Sequence, residues 1–158
     1  MEVDLAPAKQ LVESAITKLG VDPVTVRAKD TSDQASWTLK RGSASLLVTV
    51  INRPGAGRTV AGETPLTLRV VSPVMSIPDA AKRLPLFVKL LELNANGLGN
   101  CAFGLVGDRV VALSERPVAG LDAGEVEQIV RQVAAVADTY DDKLVNEFGG
   151  VRASDKQQ

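Results

Sequence analysis

The sequence predicts an α+β fold: a helix, a three-strand antiparallel meander, a second helix, a two-strand hairpin and a last helix. Three observations carry this reading. Apolar residues recur at spacings of three and four near both ends, the period drops to two between residues 36 and 74, and glycine-bearing turns separate the segments.

The first helix is read over Asp4 to Gly20, where Leu5, Ala8, Val12, Ala15, Ile16 and Leu19 share a face, Asp4 can cap and Gly20 stops the helix. Asp22-Pro23 leads into Val24 to Arg27, read as a short extended piece, and the polar run Ala28 to Ser36 is read as loop. Ser36 to Arg41, Ala44 to Ile51 and Leu66 to Val74 then alternate as strands, with Gly42-Ser43 as a tight hairpin turn. The connection Asn52 to Pro65 is too rich in glycine and proline for regular structure. Ala102 to Val106 and Arg109 to Glu115 form a hairpin around Gly107-Asp108. Asp122 with Glu125 three residues on makes a capping box, and Val126, Ile129, Val130, Val133, Val136, Ala137, Tyr140 and Leu144 give the last helix one apolar face. Residues 1–150 therefore read as one domain, and 151–158 as a disordered tail.

The middle helix is the unusual one. Lys82 to Gly99 reads KRLPLFVKLLELNANGLG, with Asp79 as a possible cap and Pro85 moving the helical start towards Leu84. At roughly 100° per residue its apolar side chains cover an arc of about 220°, whereas one packed face hides only about 100° or a little more. The surplus predicts a second cover, supplied by another copy of the chain: Leu86, Leu90 and Leu93 are read as the dimer interface, with Leu84, Phe87, Val88 and Leu91 in the protomer's own core. The alternative is a central helix enclosed by the chain's other helices.

The second and third strands carry apolar residues on both faces. Leu47, Ile51, Val71 and Met75 occupy the set that a half-wet sheet would make polar, which suggests an exposed patch for a partner. Cover by a helix of the same chain is the competing reading.

Composition removes several classes of function. The 158 residues hold one cysteine, Cys101, and no histidine, so a disulfide framework and the commonest zinc and proton-transfer chemistry are excluded. No catalytic, cofactor-binding or metal-ligating set emerges, and no enzyme activity is expected. Cys101 lacks an imidazole partner and reads as a buried structural residue. The net charge of -1 favours neither nucleic acid nor an anionic membrane, although residues 23–75 carry seven bases (Arg27, Lys29, Lys40, Arg41, Arg53, Arg58, Arg69) against three acids (Asp30, Asp33, Glu63). With three phenylalanines, one tyrosine and one tryptophan, a base-stacking platform is hard to build. No apolar run approaches a membrane span and the N-terminus lacks signal-peptide character, so a cytoplasmic protein is expected.

Two glycine-rich loops imitate nucleotide motifs. Gly57 to Thr64 has phosphate-loop spacing, but Glu63 stands where a lysine is needed and the loop leads into a strand instead of a helix. Gly97 to Ala102 follows a helix and precedes a strand, the reverse of a dinucleotide site. The carboxylates Asp141-Asp142 and Glu125/Glu127 read as a solvated helix face.

The stretch LLELNANGLGNCAFGLVGDRVVALSERPVAGLDAGEVEQIV resembles the YbjN family and the type III secretion chaperones of the CesT/Tir type. The likeness lies in a leucine-rich helix ending in Leu-Asn, a glycine-containing link, a strand, a Gly-Asp turn, a strand ending in Arg-Pro, and Gly-Leu-Asp opening the final helix. It implies a small cytoplasmic bacterial protein that dimerises, often through the central helix, and binds other proteins without catalysis. The long Asn52 to Pro65 loop and the weak acidity depart from the secretion chaperones and favour a YbjN-like adaptor or regulator. The reading is thus a homodimeric, non-enzymatic protein-binding module. The alternative is a regulatory protein contacting nucleic acid through Arg27, Lys40, Arg41, Arg53 and Arg58.

Overall fold

A computed structural model describes residues 4–52 and 66–157. The elements run α1 (Ala6–Lys18), α2 (Pro23–Val26), β1 (Gln34–Arg41), β2 (Ala44–Asn52), β3 (Leu66–Ser76), α3 (Ala80–Ala95), β4 (Ala102–Val106), β5 (Arg109–Pro117) and α4 (Ala123–Phe148), followed by a 3-10 turn at Ala153–Gln157. The five strands form one antiparallel sheet in the order β1-β2-β3-β5-β4. The predicted α+β class and element order are therefore those observed.

Local chemistry accounts for most boundaries. Glu125 N–H donates to Asp122 Oδ1, and Asp122 N–H to a Glu125 carboxylate oxygen, both at 2.9 Å, so the capping box opens α4 as read. The β4–β5 hairpin has Phe103 opposite Ala112 and Val106 opposite Arg109, with Gly107 at φ +60°. Two readings need correction. Val24 to Arg27 is not extended: Pro23–Val26 is a helical turn whose Val24 N–H is capped by Asp22 Oδ1 at 3.0 Å, with proline at the position where a missing N–H costs nothing. Pro85 does not delay α3, which begins at Ala80 and carries the proline inside.

The chain divides into two compact units that are interleaved in sequence. The first holds α1, α2, most of β1, the end of β2, the start of β3 and the opening of α4. Its core includes Ala8, Val12, Ala15 and Ile16 from α1, Trp37 and Leu39 from β1, Val48 and Val50 from β2, and Ile129 and Val130 from α4. The N-terminal half of β1 is bordered by the preceding segment: Ala28 N–H donates to Ser36 O and Thr31 N–H to Gln34 O, each at 2.9 Å.

The second unit holds the β1–β2 turn, the end of β3, α3, β4, most of β5 and the rest of α4. Leu46, Val74, Leu86, Leu90, Phe103, Val110, Ala112, Val133, Ala137 and Leu144 are buried there. Phe103 meets Tyr140 edge-on, with ring centroids 5.4 Å apart, which ties β4 to α4. Residues 151–157 are not a disordered tail. Ser76 N–H donates to Val151 O at 2.9 Å, Val151 N–H donates to Ser76 Oγ at 3.0 Å, and Met75 pairs with Arg152 as an antiparallel bridge. Gly150 permits this approach, since a Cβ there would lie 2.7 Å from Ser76 O. Arg152 then pairs with Asp142 at 2.7 Å and Asp155 at 3.0 Å.

Candidate functional site

Among the described residues, the second unit carries the longest apolar row left open on a helix. In α3 Leu86 and Leu90 are 0% and 5% exposed, whereas Leu84, Val88 and Leu91 are 71%, 47% and 69% exposed and Phe87 is half-buried. Positions 84, 88 and 91 are one turn apart and form a continuous stripe. The sequence reading inverted this helix: Leu86 and Leu90 are core residues and cannot form an interface, and Leu93 is half-buried beside them. The apolar arc of about 220° is wider than one packed face hides, so periodicity shows how much must be covered but not which part of the arc faces in. Asn94 decides it. Its Oδ1 accepts from Phe103 N–H at 2.8 Å and its Nδ2 donates to Phe103 O at 3.1 Å, so one side-chain amide satisfies both backbone groups of an edge strand and fixes the rotation of α3 on β4. Leu105 and Val106, each 49% exposed, add open apolar surface at the end of β4, and sequence reasoning missed them because an edge strand has no packing partner beyond it.

The strand residues assigned to a partner are placed separately. In the first unit Leu47 is 44% exposed and Ile51 half-buried; in the second Val71 is half-buried and Met75 is completely buried. Met75 is thus removed from the set. The strand alternation would leave it open, but the Gly150 to Arg152 segment lies against it.

Several charged groups are paired with one another. Arg27 reaches Glu13 at 2.8 Å and Asp30 at 2.6 Å, and its guanidinium stands 5.9 Å from the Trp37 ring centroid. The hydrogen bond that Arg27 donates to Asp30 raises the Arg27 pKa, and that bond and then the one from Lys9 hold the Asp30 carboxyl below the usual carboxylate range. Arg69 pairs with Glu115 at 2.7 Å. Of the residues named for nucleic acid, Arg53 and Arg58 lie outside the described residues, Arg27 is held by carboxylates, and Lys40 and Arg41 end β1. That alternative gains no support. The phosphate-loop imitation at Gly57 to Thr64 also lies outside the described residues.

No chemistry of covalent catalysis is set up at the remaining candidates. Cys101 is 8% exposed, and burial pushes its thiol up to about 11, away from a reactive thiolate. Asp141 is not on a solvated face as read. It is 8% exposed, and with Asp138 it accepts from the Ser43 hydroxyl, at 3.1 and 2.6 Å, so the β1–β2 turn is docked onto α4. Ser43 in turn holds the Asp138 carboxyl below its ordinary pKa. Among the described residues there is no cluster able to hold a metal ion, and no helix is long and apolar enough to cross a membrane.

Among the described residues of the second unit, the open apolar side chains are concentrated on α3 and at the end of β4. A family model described as T3SS (YopN, CesT) and YbjN peptide-binding chaperone 1, or TY-Chap1, matches residues 6–156. The chain belongs to this family. Three solved structures similar to the TY-Chap1 chain are complexes. One chain of the ExsC–ExsE complex matches with a TM-score of 0.58 at 15% identity, covering 90% of this chain and 97% of that one. A chain of the HopA1–SchA chaperone–effector complex gives 0.55 at 15% identity, covering 89% and 98%. A chain of the heterodimeric ExoU–SpcU complex from the type III secretion system of Pseudomonas aeruginosa gives 0.55 at 12%, covering 83% and 95%. At these identities the likeness establishes the fold. A search of curated proteins found no match.

Proposed function

We propose that this TY-Chap1 chain is a non-enzymatic holding chaperone or adaptor that works as a homodimer and receives an extended, apolar segment of a protein client. The observation that carries the dimer is the row Leu84, Val88 and Leu91 on α3, flanked by Phe87. Covering a leucine-sized side chain is worth roughly 1.5–3 kcal/mol, so a stripe of three left in water costs too much to be decoration. A second copy presents the same stripe, which makes a self-complementary two-fold contact the simplest cover. The interface thus belongs to the opposite face of α3 from the one the sequence suggested.

The client contacts we propose are Leu47 and Ile51, both in the first unit; Val71 belongs to the second unit and is a separate candidate, and Met75 is excluded. Support comes from the family's description as peptide-binding chaperones and from similar chains solved with partners, one of them in a chaperone–effector complex. The test combines Leu47→Ser with Ile51→Ser. A client captured by wild type from extracts of its own cells should be lost by the double variant while the melting temperature falls only a few degrees. Equal capture by both proteins would remove these residues from the site.

A further inference from the structure

On α3, Lys89 and Leu93 stand one turn apart; on α4, Tyr140, Lys143, Leu144 and Glu147 share another stripe. These residues line an open groove of about 630 Å³, large enough for one or two side chains and too small for a folded partner. Leu93, Tyr140 and Leu144 supply its apolar lining, and the edge-on contact with Phe103 fixes the tyrosine ring. The charges are lopsided. Residues 121–150 carry seven acids (Asp122, Glu125, Glu127, Asp138, Asp141, Asp142, Glu147) and two bases (Arg131, Lys143), yet Lys143 lies in this groove and α3 contributes Lys89 from the other side. Neither lysine forms an ion pair among the described residues, and the Lys143 ammonium stands 5.4 Å from the Tyr140 ring centroid, parked on an aromatic face.

We infer that this groove anchors an acidic-apolar segment of a protein client, with one large apolar side chain on Leu93, Tyr140 and Leu144 and a neighbouring Asp or Glu carboxylate met by Lys89 and Lys143. That the occupant is a protein segment rests on the peptide-binding reading above. Two unpaired cations beside apolar surface favour a carboxylate there because the site is less well screened than open water. Glu147, one turn beyond Lys143, repels a second carboxylate at that end and so gives the segment a direction. At roughly 100° per residue, Lys89 and Leu93 lie well round α3 from the Leu84, Val88 and Leu91 row, so the groove stays open when that row is covered.

The test uses three synthetic ten-residue peptides, Gly/Ser throughout except for a central Leu-Glu-Leu, Leu-Gln-Leu or Leu-Lys-Leu, titrated into ¹⁵N-labelled full-length protein. The glutamate peptide should shift amides around residues 89–93 and 140–147 and bind about two- to five-fold more tightly than the glutamine peptide, with the lysine peptide weakest. Raising the salt should shrink that preference. Lys89→Gln with Lys143→Gln should abolish the preference and retain the apolar binding, whereas Val24→Ser, at an exposed position of α2, should leave both intact. Equal binding of all three peptides, shifts mapping elsewhere, or a preference that survives the lysine substitutions would overturn the inference. If the groove is silent while client capture still depends on Leu47 and Ile51, the groove assignment fails and the chaperone reading stands.

Discussion

The helices α3 and α4 are both rich in apolar residues, and they use them differently. In α4, Val126, Ile129, Val130, Val133, Ala134, Val136, Ala137, Leu144 and Phe148 are all buried, and none of its large apolar side chains is exposed. In α3 only Leu86 and Leu90 are buried, while Leu84, Val88 and Leu91 stand open. One helix is finished by its own chain. The other is finished on one side only, which is what a helix does when part of its packing is to come from outside.

The sharpest way to break this contrast is to delete side chains from the two faces of α3. Leu86→Ala removes buried methyl groups and should cost about 2–5 kcal/mol, lowering the melting temperature by roughly 5–20 °C in a chain of this size. Leu84→Ala should change the protomer's chemical denaturation by less than about 0.5 kcal/mol when measured at a dilution that keeps the protein monomeric. Comparable losses from both would mean that α3 has no free side. Next in size is Asn94→Ala, which orphans the N–H and C=O of Phe103; a loss of about 1–3 kcal/mol in urea denaturation is expected, with β4 amides exchanging faster. Unchanged exchange at Phe103 would show that the amide clamp does not orient the helix.

These substitutions also mark how far the sequence could be read. The strands, the two hairpin turns and the α4 capping box were legible because each is a local device: a period of two, a glycine at positive φ, or an Asp and Glu three apart. What was not legible depended on distant partners. Asn94 looked like an ordinary residue near a helix end, and its pairing with Phe103 decides which leucines face inward. Met75 looked open because Gly150 and Arg152 reach it from the far end of the chain. Asp141 looked solvated because nothing local announces that the Ser43 turn docks on it. The amount of apolar surface in α3 was readable; its rotation was set by one amide.

Smaller effects refine the picture. Cys101 should react with a thiol reagent at pH 8 far more slowly than a free cysteine and reach the ordinary rate once the protein is unfolded, since burial holds its thiol near 11. Rapid labelling of the folded protein would contradict that placement. Asp30 has a depressed carboxyl pKa in the fold, so its contribution to stability is present above its unfolded value of about 3.9 and is lost as pH falls through the lower folded value. Arg27→Ala should therefore reduce stability at pH 7 slightly and have less effect still near pH 2, an ordering that denaturation at the two pH values would check.

The most direct measurement of the central claim is the mass of the particle in solution. The chain weighs 16.6 kDa. Light scattering at roughly 100 µM should give wild type twice that mass, and Leu91→Asp should give the protomer mass with its far-ultraviolet circular dichroism unchanged and a melting temperature that no longer depends on concentration, because a charge is forced into the contact and not into the core. A wild-type protein at the protomer mass, or a Leu91→Asp variant that remains dimeric, would contradict the account.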